Sequence, residues 1–197
     1  MNMSDVNDLH AFFMKEIEPF GFEKDASMRP LGLFHMLKTL EQGSYPHIGE
    51  FGGGYSSLGL RKWVHPGTKV TTVDHHPEWA EFLRTTLTKM ELRADNIVDL
   101  GEFRNETHMM GAPIFDAVLI DHGPTMGTRQ DDVPWIISLV KPGGLIIFDD
   151  WFPTDQRTFR STKRLARIVT RMGYEYNVIE ESRPKAHDKA ICLVRKV

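Results

Sequence analysis

A single cysteine, Cys192, stands in the 197 residues. No intrachain disulfide can form, and CxxC metal or redox motifs are excluded. So few cysteines suit a reducing compartment. Long apolar runs are also missing, since no stretch approaches the ~18 residues that span a bilayer. Neither sign of charge is in large excess. A net charge of −3 offers no general attraction for a polyanion, so nucleic acid is not the expected partner. The stretch MNMSDVNDLHAFF carries acids and no basic segment, which argues against a secretory signal. These absences point to a cytoplasmic protein.

What is present fits a globular chain. It is 41% hydrophobic and 26% charged, and its length suits one sizeable α/β domain. Ser4 can cap a first helix whose apolar positions Val6, Leu9, Phe13 and Ile17 keep helical spacing. A second helix is expected from about Pro30 to Leu40, ended by Gly43. Residues 1–44 therefore read as a helical cover. From residue 45 to 197 the pattern changes to a single compact unit of short apolar runs. These are HIGEF (47–51), KVTTVD (69–74), NIVDL (96–100), FDAVLID (115–121) and GLIIFDD (144–150). Helical candidates separate most of them: Ser57–Trp63, Pro77–Met90, Asp131–Val140 and Gln156–Met172. Such alternation predicts a parallel sheet with helices on both faces. YEYNVIEES (174–182) and KAICLVRK (189–196) read as a hairpin that adds an antiparallel edge.

The first strand runs into Gly52, Gly53 and Gly54. Glycines there let backbone approach a ligand closely, although a tight turn alone would also use them. A dinucleotide site needs G-x-G-x-x-G, and the third position here is Ser57. Glu50, two residues before the first glycine, would repel a phosphate but suits a ligand with a positive amino group. Asp74 ends the second strand, placed to accept hydrogen bonds from ribose hydroxyls. A ribose joined to a cationic amino acid describes S-adenosylmethionine.

EFGGGYS (50–56), VDHHPEW (73–79), FDAVLID (115–121) and LVKPGGLIIFDDW (139–151) together resemble a class I S-adenosylmethionine-dependent methyltransferase. The resemblance covers roughly residues 45–197. It implies a Rossmann-like, doubly wound, seven-stranded sheet, mostly parallel with an antiparallel last strand, beneath N-terminal helices. It also implies site roles. Glu50, Gly52, Gly53, Gly54 and Ser56 would line the methionine end. Asp74, with His75 beside it, would take the ribose, and Asp99 or Glu102 would approach the adenine. Asp121 would border the cofactor.

Asp121 ends one strand, and Asp149 and Asp150 end the next. Three neighbouring carboxylates repel one another unless a cation or a proton intervenes. Oxygen donors suit Mg²⁺, while helix capping or solvation at the rim explains one or two of them equally well. Asp121-His122 followed by Asp149-Asp150 resembles the metal site of the catechol O-methyltransferase-like group, with Asp150 where that group has Asn. The resemblance implies metal ligation by Asp121, Asp149 and Asp150. One departure matters. The group's lysine base is missing, because Gly123-Pro124-Thr125 follows His122. Proton removal then falls to His122, with Asp121 beside it, or to a metal that ionises the substrate oxygen.

The expected activity is divalent-metal-assisted methylation of a hydroxyl on a small catechol- or diol-like molecule, by a monomer or homodimer. Two alternatives stay open. One is metal-independent methylation of an amine, a carboxylate or an RNA, the RNA tracked by Arg157, Arg160, Arg164, Arg167 and Arg171. The other is a non-catalytic nucleoside-binding module of the same fold.

Overall fold

The computed structural model describes residues 30–122, 126–151, 166–180 and 190–195, with the isolated positions 8 and 11. The expected first helix and most of the 1–44 cover lie outside these residues, as do Arg157, Arg160 and Arg164. The first described helix is α1 (Pro30–Glu41), followed by strand β1 (His47–Phe51). The chain then alternates through α2 (Tyr55–Trp63), β2 (Lys69–Asp74), α3 (Pro77–Lys89) and β3 (Ile97–Asp99). It continues through α4 (Leu100–Met110), β4 (Phe115–Ile120), α5 (Met126–Ser138) and β5 (Val140–Trp151). Residues 166–171 are helical and lead to β6 (Glu175–Glu180) and β7 (Ala190–Arg195).

Among the described residues, seven strands join one sheet in the order β3-β2-β1-β4-β5-β7-β6. The pairs from β3 through β5 are parallel, and β7 runs antiparallel to both β5 and β6. The seven-stranded, doubly wound sheet with one antiparallel strand is therefore observed. The hairpin differs in one respect. The last strand, β7, inserts between β5 and β6, which leaves β6 at the edge. Composition explains the choice: AICLVR is apolar enough for an interior place, whereas EYNVIE carries acids at both ends and exposes Tyr176.

Successive residues on a strand point to opposite faces, and the core divides accordingly. Ala117, Leu119, Leu145 and Ile147 face α1, α2 and α3, where Leu33, Leu58, Leu83 and Leu87 are fully buried. Val118, Ile120, Ile146 and Phe148 face α4, α5 and the helical residues 166–171. Fully burying one such side chain contributes roughly 1.5–3 kcal/mol.

Two helix boundaries show their chemistry plainly. Pro77 opens α3, where a missing N–H costs nothing. Asp99 starts α4, its Oδ1 accepting from the N–H groups of Gly101 at 2.8 Å and Glu102 at 3.0 Å. Helix α4 is absent from the sequence expectation, because LGEFRNETHMM has weak apolar periodicity. Its cap and its αL glycine, Gly111 at φ 60°, were the available signals. Among the described residues, no helix is long and apolar enough to cross a membrane.

His47 sits at the amino end of β1, its Nε2 2.9 Å from Thr71 Oγ1. Burial, then the nearby Lys69 charge, lowers its pKa below the usual 6.5. The folded state thus holds His47 neutral while the unfolded chain protonates it. Stability from this group is present above pH 6.5 and falls as pH drops below it. Urea midpoints measured from pH 7.5 to 5.5 should decline less steeply for His47→Gln than for the parent chain.

Candidate active site

Strand order reverses between β1 and β4, since the chain builds outward to β3 and then returns. In open α/β sheets, ligands lodge at the carboxyl ends of the strands beside such a switch point. There the two backbones nearly touch. Asp121 N–H donates to the Phe51 carbonyl at 2.8 Å, and Gly52 N–H donates to the Val73 carbonyl at 2.8 Å. Gly52 has φ +96°, and a Cβ there would lie 2.4 Å from the Asp121 carbonyl oxygen. No side chain fits. The next residue is held on both sides: Gly53 N–H donates to Asp74 Oδ2 at 2.9 Å, and Trp79 Nε1 donates to the Gly53 carbonyl at 2.9 Å. Gly54 N–H then donates to Ser57 Oγ at 3.0 Å, and α2 begins.

Below this loop lies a buried polar cluster. Glu50 is 0% exposed, and its carboxylate faces the interior rather than the open side of the loop. Ser57 Oγ and Thr72 Oγ1 each donate to Glu50 Oε2 at 2.6 Å. Arg61 Nη1 donates to Thr72 Oγ1 at 3.0 Å, and Nη2 donates to the Asp95 carbonyl at 3.3 Å. Burial pushes the Glu50 pKa up, while the Arg61 charge and the hydroxyls of Ser56, Ser57 and Thr72 pull it back. Ser56 itself is buried.

Asp74 is buried at the end of β2. Besides Gly53, it accepts from His76 N–H through Oδ1 at 2.9 Å, and His75 Nδ1 lies 3.6 Å from the same oxygen. The rings of His75 and His76 have centroids 3.9 Å apart. A carboxylate offers about four lone-pair sites, so Asp74 retains capacity for ligand hydroxyls. Asp99 stands beside Asp74 on β3, with one oxygen committed to capping α4.

Ile120 of β4 pairs with Phe148 of β5, so Asp121, just past β4, and Asp149, inside β5, follow on neighbouring strands. Asp149 is buried and Asp121 is half-buried. The Asp150 side chain lies outside the described residues, as do residues 123–125. Among the described residues, no three His, Cys, Asp or Glu side chains gather to hold a metal ion. His122 turns under the β1 end. Its ring is 4% exposed, 6.2 Å from the Phe51 ring, with Nε2 3.1 Å from Asp132 Oδ2. Arg104 donates to the other Asp132 oxygen at 2.8 Å and lies 4.9 Å from the Trp135 ring centre. The sequence reading missed Arg104 and Asp132. They stand on α4 and α5 in no shared motif, so only the fold brings them to His122.

A cleft of about 650 Å³, lined by Leu37, Tyr45, Trp63 and His65, lies at the amino ends of β1 and β2. That end of an open parallel sheet does not carry its ligands, so the glycine loop remains the candidate site.

The chain thus forms a doubly wound α/β domain with a glycine loop at its switch point. Residues 50–151 match the model of a family described as a methyltransferase domain, and the chain belongs to that family. It is an enzyme of the methyltransferase class. Solved structures agree on the fold. An O-methyltransferase from Bacillus cereus in complex with SAH is 15% identical, with TM-score 0.73, over 100% of this chain and 92% of that one. The O-methyltransferase TomG of Streptomyces achromogenes, solved with SAM, is 17% identical, with TM-score 0.71, over 98% and 89%. An SAH-bound methyltransferase from Podospora anserina is 15% identical, with TM-score 0.67, over 100% and 97%. No curated protein matches the sequence.

Gly52→Ala should destabilise the fold by roughly 1–3 kcal/mol from backbone strain alone. The contact with the Asp121 carbonyl adds to this. Urea denaturation of the variant measures the loss, and an unchanged midpoint would contradict the described contact.

Proposed function

We propose that the protein transfers a methyl group from S-adenosylmethionine to a hydroxyl oxygen of a small catechol- or diol-like molecule. The observation that carries this reading is the bare loop at Gly52–Gly54, clasped at Gly53 by the Asp74 carboxylate at the switch point. S-adenosylmethionine, when bound, supplies a methyl on a sulfonium centre whose leaving group needs no proton. Positioning therefore supplies much of the rate. Asp74 accepts from the ribose hydroxyls. Gly52, Gly53 and Gly54 let the amino acid end approach the backbone, with Ser56 at the start of α2. His75 borders the ribose, and Asp99 the adenine. Glu50 acts from beneath, shaping the loop through Ser57.

His122 would take the proton of the acceptor hydroxyl, and S-adenosylmethionine would supply the methyl group. Asp132 holds the His122 ring in place, and Asp121 flanks it. The family resemblance adds Mg²⁺ on Asp121, Asp149 and Asp150. Asp121 and Asp149 lie on neighbouring strands, and among the described residues no three-ligand set forms.

Calorimetric titration tests this reading. S-adenosylmethionine should bind the wild type, and Asp74→Ala should weaken binding at least about ten-fold, because a hydrogen bond to a charged group contributes ~1.5–3 kcal/mol. Incubation with catechols and cofactor should yield a singly methylated mass. If the metal reading holds, chelation should abolish that product, and Asp121→Ala should lose Mg²⁺ binding but keep the cofactor. Absence of cofactor binding would sink the proposal.

A further inference from the structure

The hydrogen bonds under the loop form one uninterrupted chain. The Asp95 carbonyl, just before β3, accepts from Arg61, and Arg61 donates to Thr72. Thr72 donates to Glu50, Ser57 donates to Glu50, and Ser57 accepts from Gly54 N–H in the loop. Every side chain in the chain is buried, Arg61 at 6% exposure and Glu50 and Thr72 at 0%. Glu50 pairs with Thr72 on β2 and Leu119 on β4 across the sheet. The groups facing its carboxylate are Ser56, Ser57 and Arg61 from α2 and Thr72 from β2, and Arg61 is the charged one.

Direction matters in such a chain. An ionised carboxylate only accepts hydrogen bonds. It therefore claims the single hydrogen of each hydroxyl. Ser57 is left with lone pairs for Gly54 N–H, and Thr72 with lone pairs for Arg61. A protonated Glu50 can donate instead. One hydroxyl hydrogen is then released, and Ser57 can turn it against the loop amide. The orientation of Gly54 N–H thus depends on the charge of a carboxylate that is 0% exposed. A buried carboxylate keeps its charge when a cation lies close by.

We propose that Arg61 is a positioning residue for the cofactor loop, acting through Glu50 and Ser57 on the backbone at Gly54. The inference rests on the reading that this loop binds S-adenosylmethionine. Arg61 touches no ligand. It sets the polarity of the hydroxyls below the loop, and so the backbone conformation that Gly54 holds through its N–H bond to Ser57. Burial already raises the Glu50 pKa, and loss of the neighbouring cation raises it further. Without Arg61, Glu50 is protonated at lower pH and ionised at higher pH, so the loop regains its polarity as pH rises.

Titration calorimetry with S-adenosylhomocysteine from pH 6 to pH 9 tests this. R61M should weaken binding about ten-fold relative to wild type at the acid end, and the deficit should shrink as pH rises. R61K keeps the charge and should track the wild type at every pH. E50Q cannot ionise, so its deficit should not change with pH. These two variants carry the test if R61M fails to fold. A merely structural Arg61 gives a deficit independent of pH, and that result overturns the inference. So does R61M binding like wild type, or an E50Q affinity equal to wild type. No binding by the wild type overturns the cofactor reading, and this inference with it.

Discussion

The carboxyl ends of β1 and β4 meet at Gly52 with room for hydrogen alone. The Asp121 carbonyl occupies the space a side chain would need. This close approach fixes where the chain leaves the sheet, and the rest of the site follows from it. The loop must cross toward β2, where the Gly52 amide finds the Val73 carbonyl and the Gly53 amide finds Asp74. The same contact brings Asp121 and His122 beside the loop. A switch point is a crevice in any doubly wound sheet. Here it is also a place without side chains, where the Gly52, Gly53 and Gly54 N–H groups are held by Val73, Asp74 and Ser57, so a ligand can approach the backbone closely.

A bare loop needs support from another source, and this one is supported from below. A fully enclosed carboxylate is costly, and replacing such a group by apolar side chains often stabilises a protein. Glu50 is retained with two hydroxyl donors and a buried guanidinium nearby, so its desolvation is offset by directed bonds. Those bonds run into the loop amide at Gly54. On the other face of the sheet, His122, Asp132 and Arg104 repeat the principle with a different set of groups. Both networks spend stability on fixing orientation near the strand ends.

Much of this was legible in the sequence where one residue type has one use. Apolar runs at a regular interval gave the parallel sheet, and KAICLVRK gave a last strand. Three glycines after an apolar run gave the loop, and Asp74 at a strand end gave a carboxylate beside it. Other features were hidden for physical reasons. Helix α4 has few apolar residues on its inner side, so periodicity missed it, although Asp99 and Gly111 mark its ends. Whether Glu50 points to the ligand or into the core depends on strand twist and on Arg61, eleven residues further on. The partnership of Arg104 with Asp132 spans two helices and leaves no local mark. The place of β7 inside β6 follows from its more apolar composition, which shows only when the two strands are compared.

The central claim is that the loop at Gly52–Gly54 and the carboxylate of Asp74 form one nucleoside site. A crystal structure with S-adenosylhomocysteine tests it most directly. The account predicts the amino acid end over the glycine backbone and the ribose hydroxyls within hydrogen-bond distance of Asp74. A ligand bound at the amino ends of the strands, or one whose ribose lies away from Asp74, would contradict it.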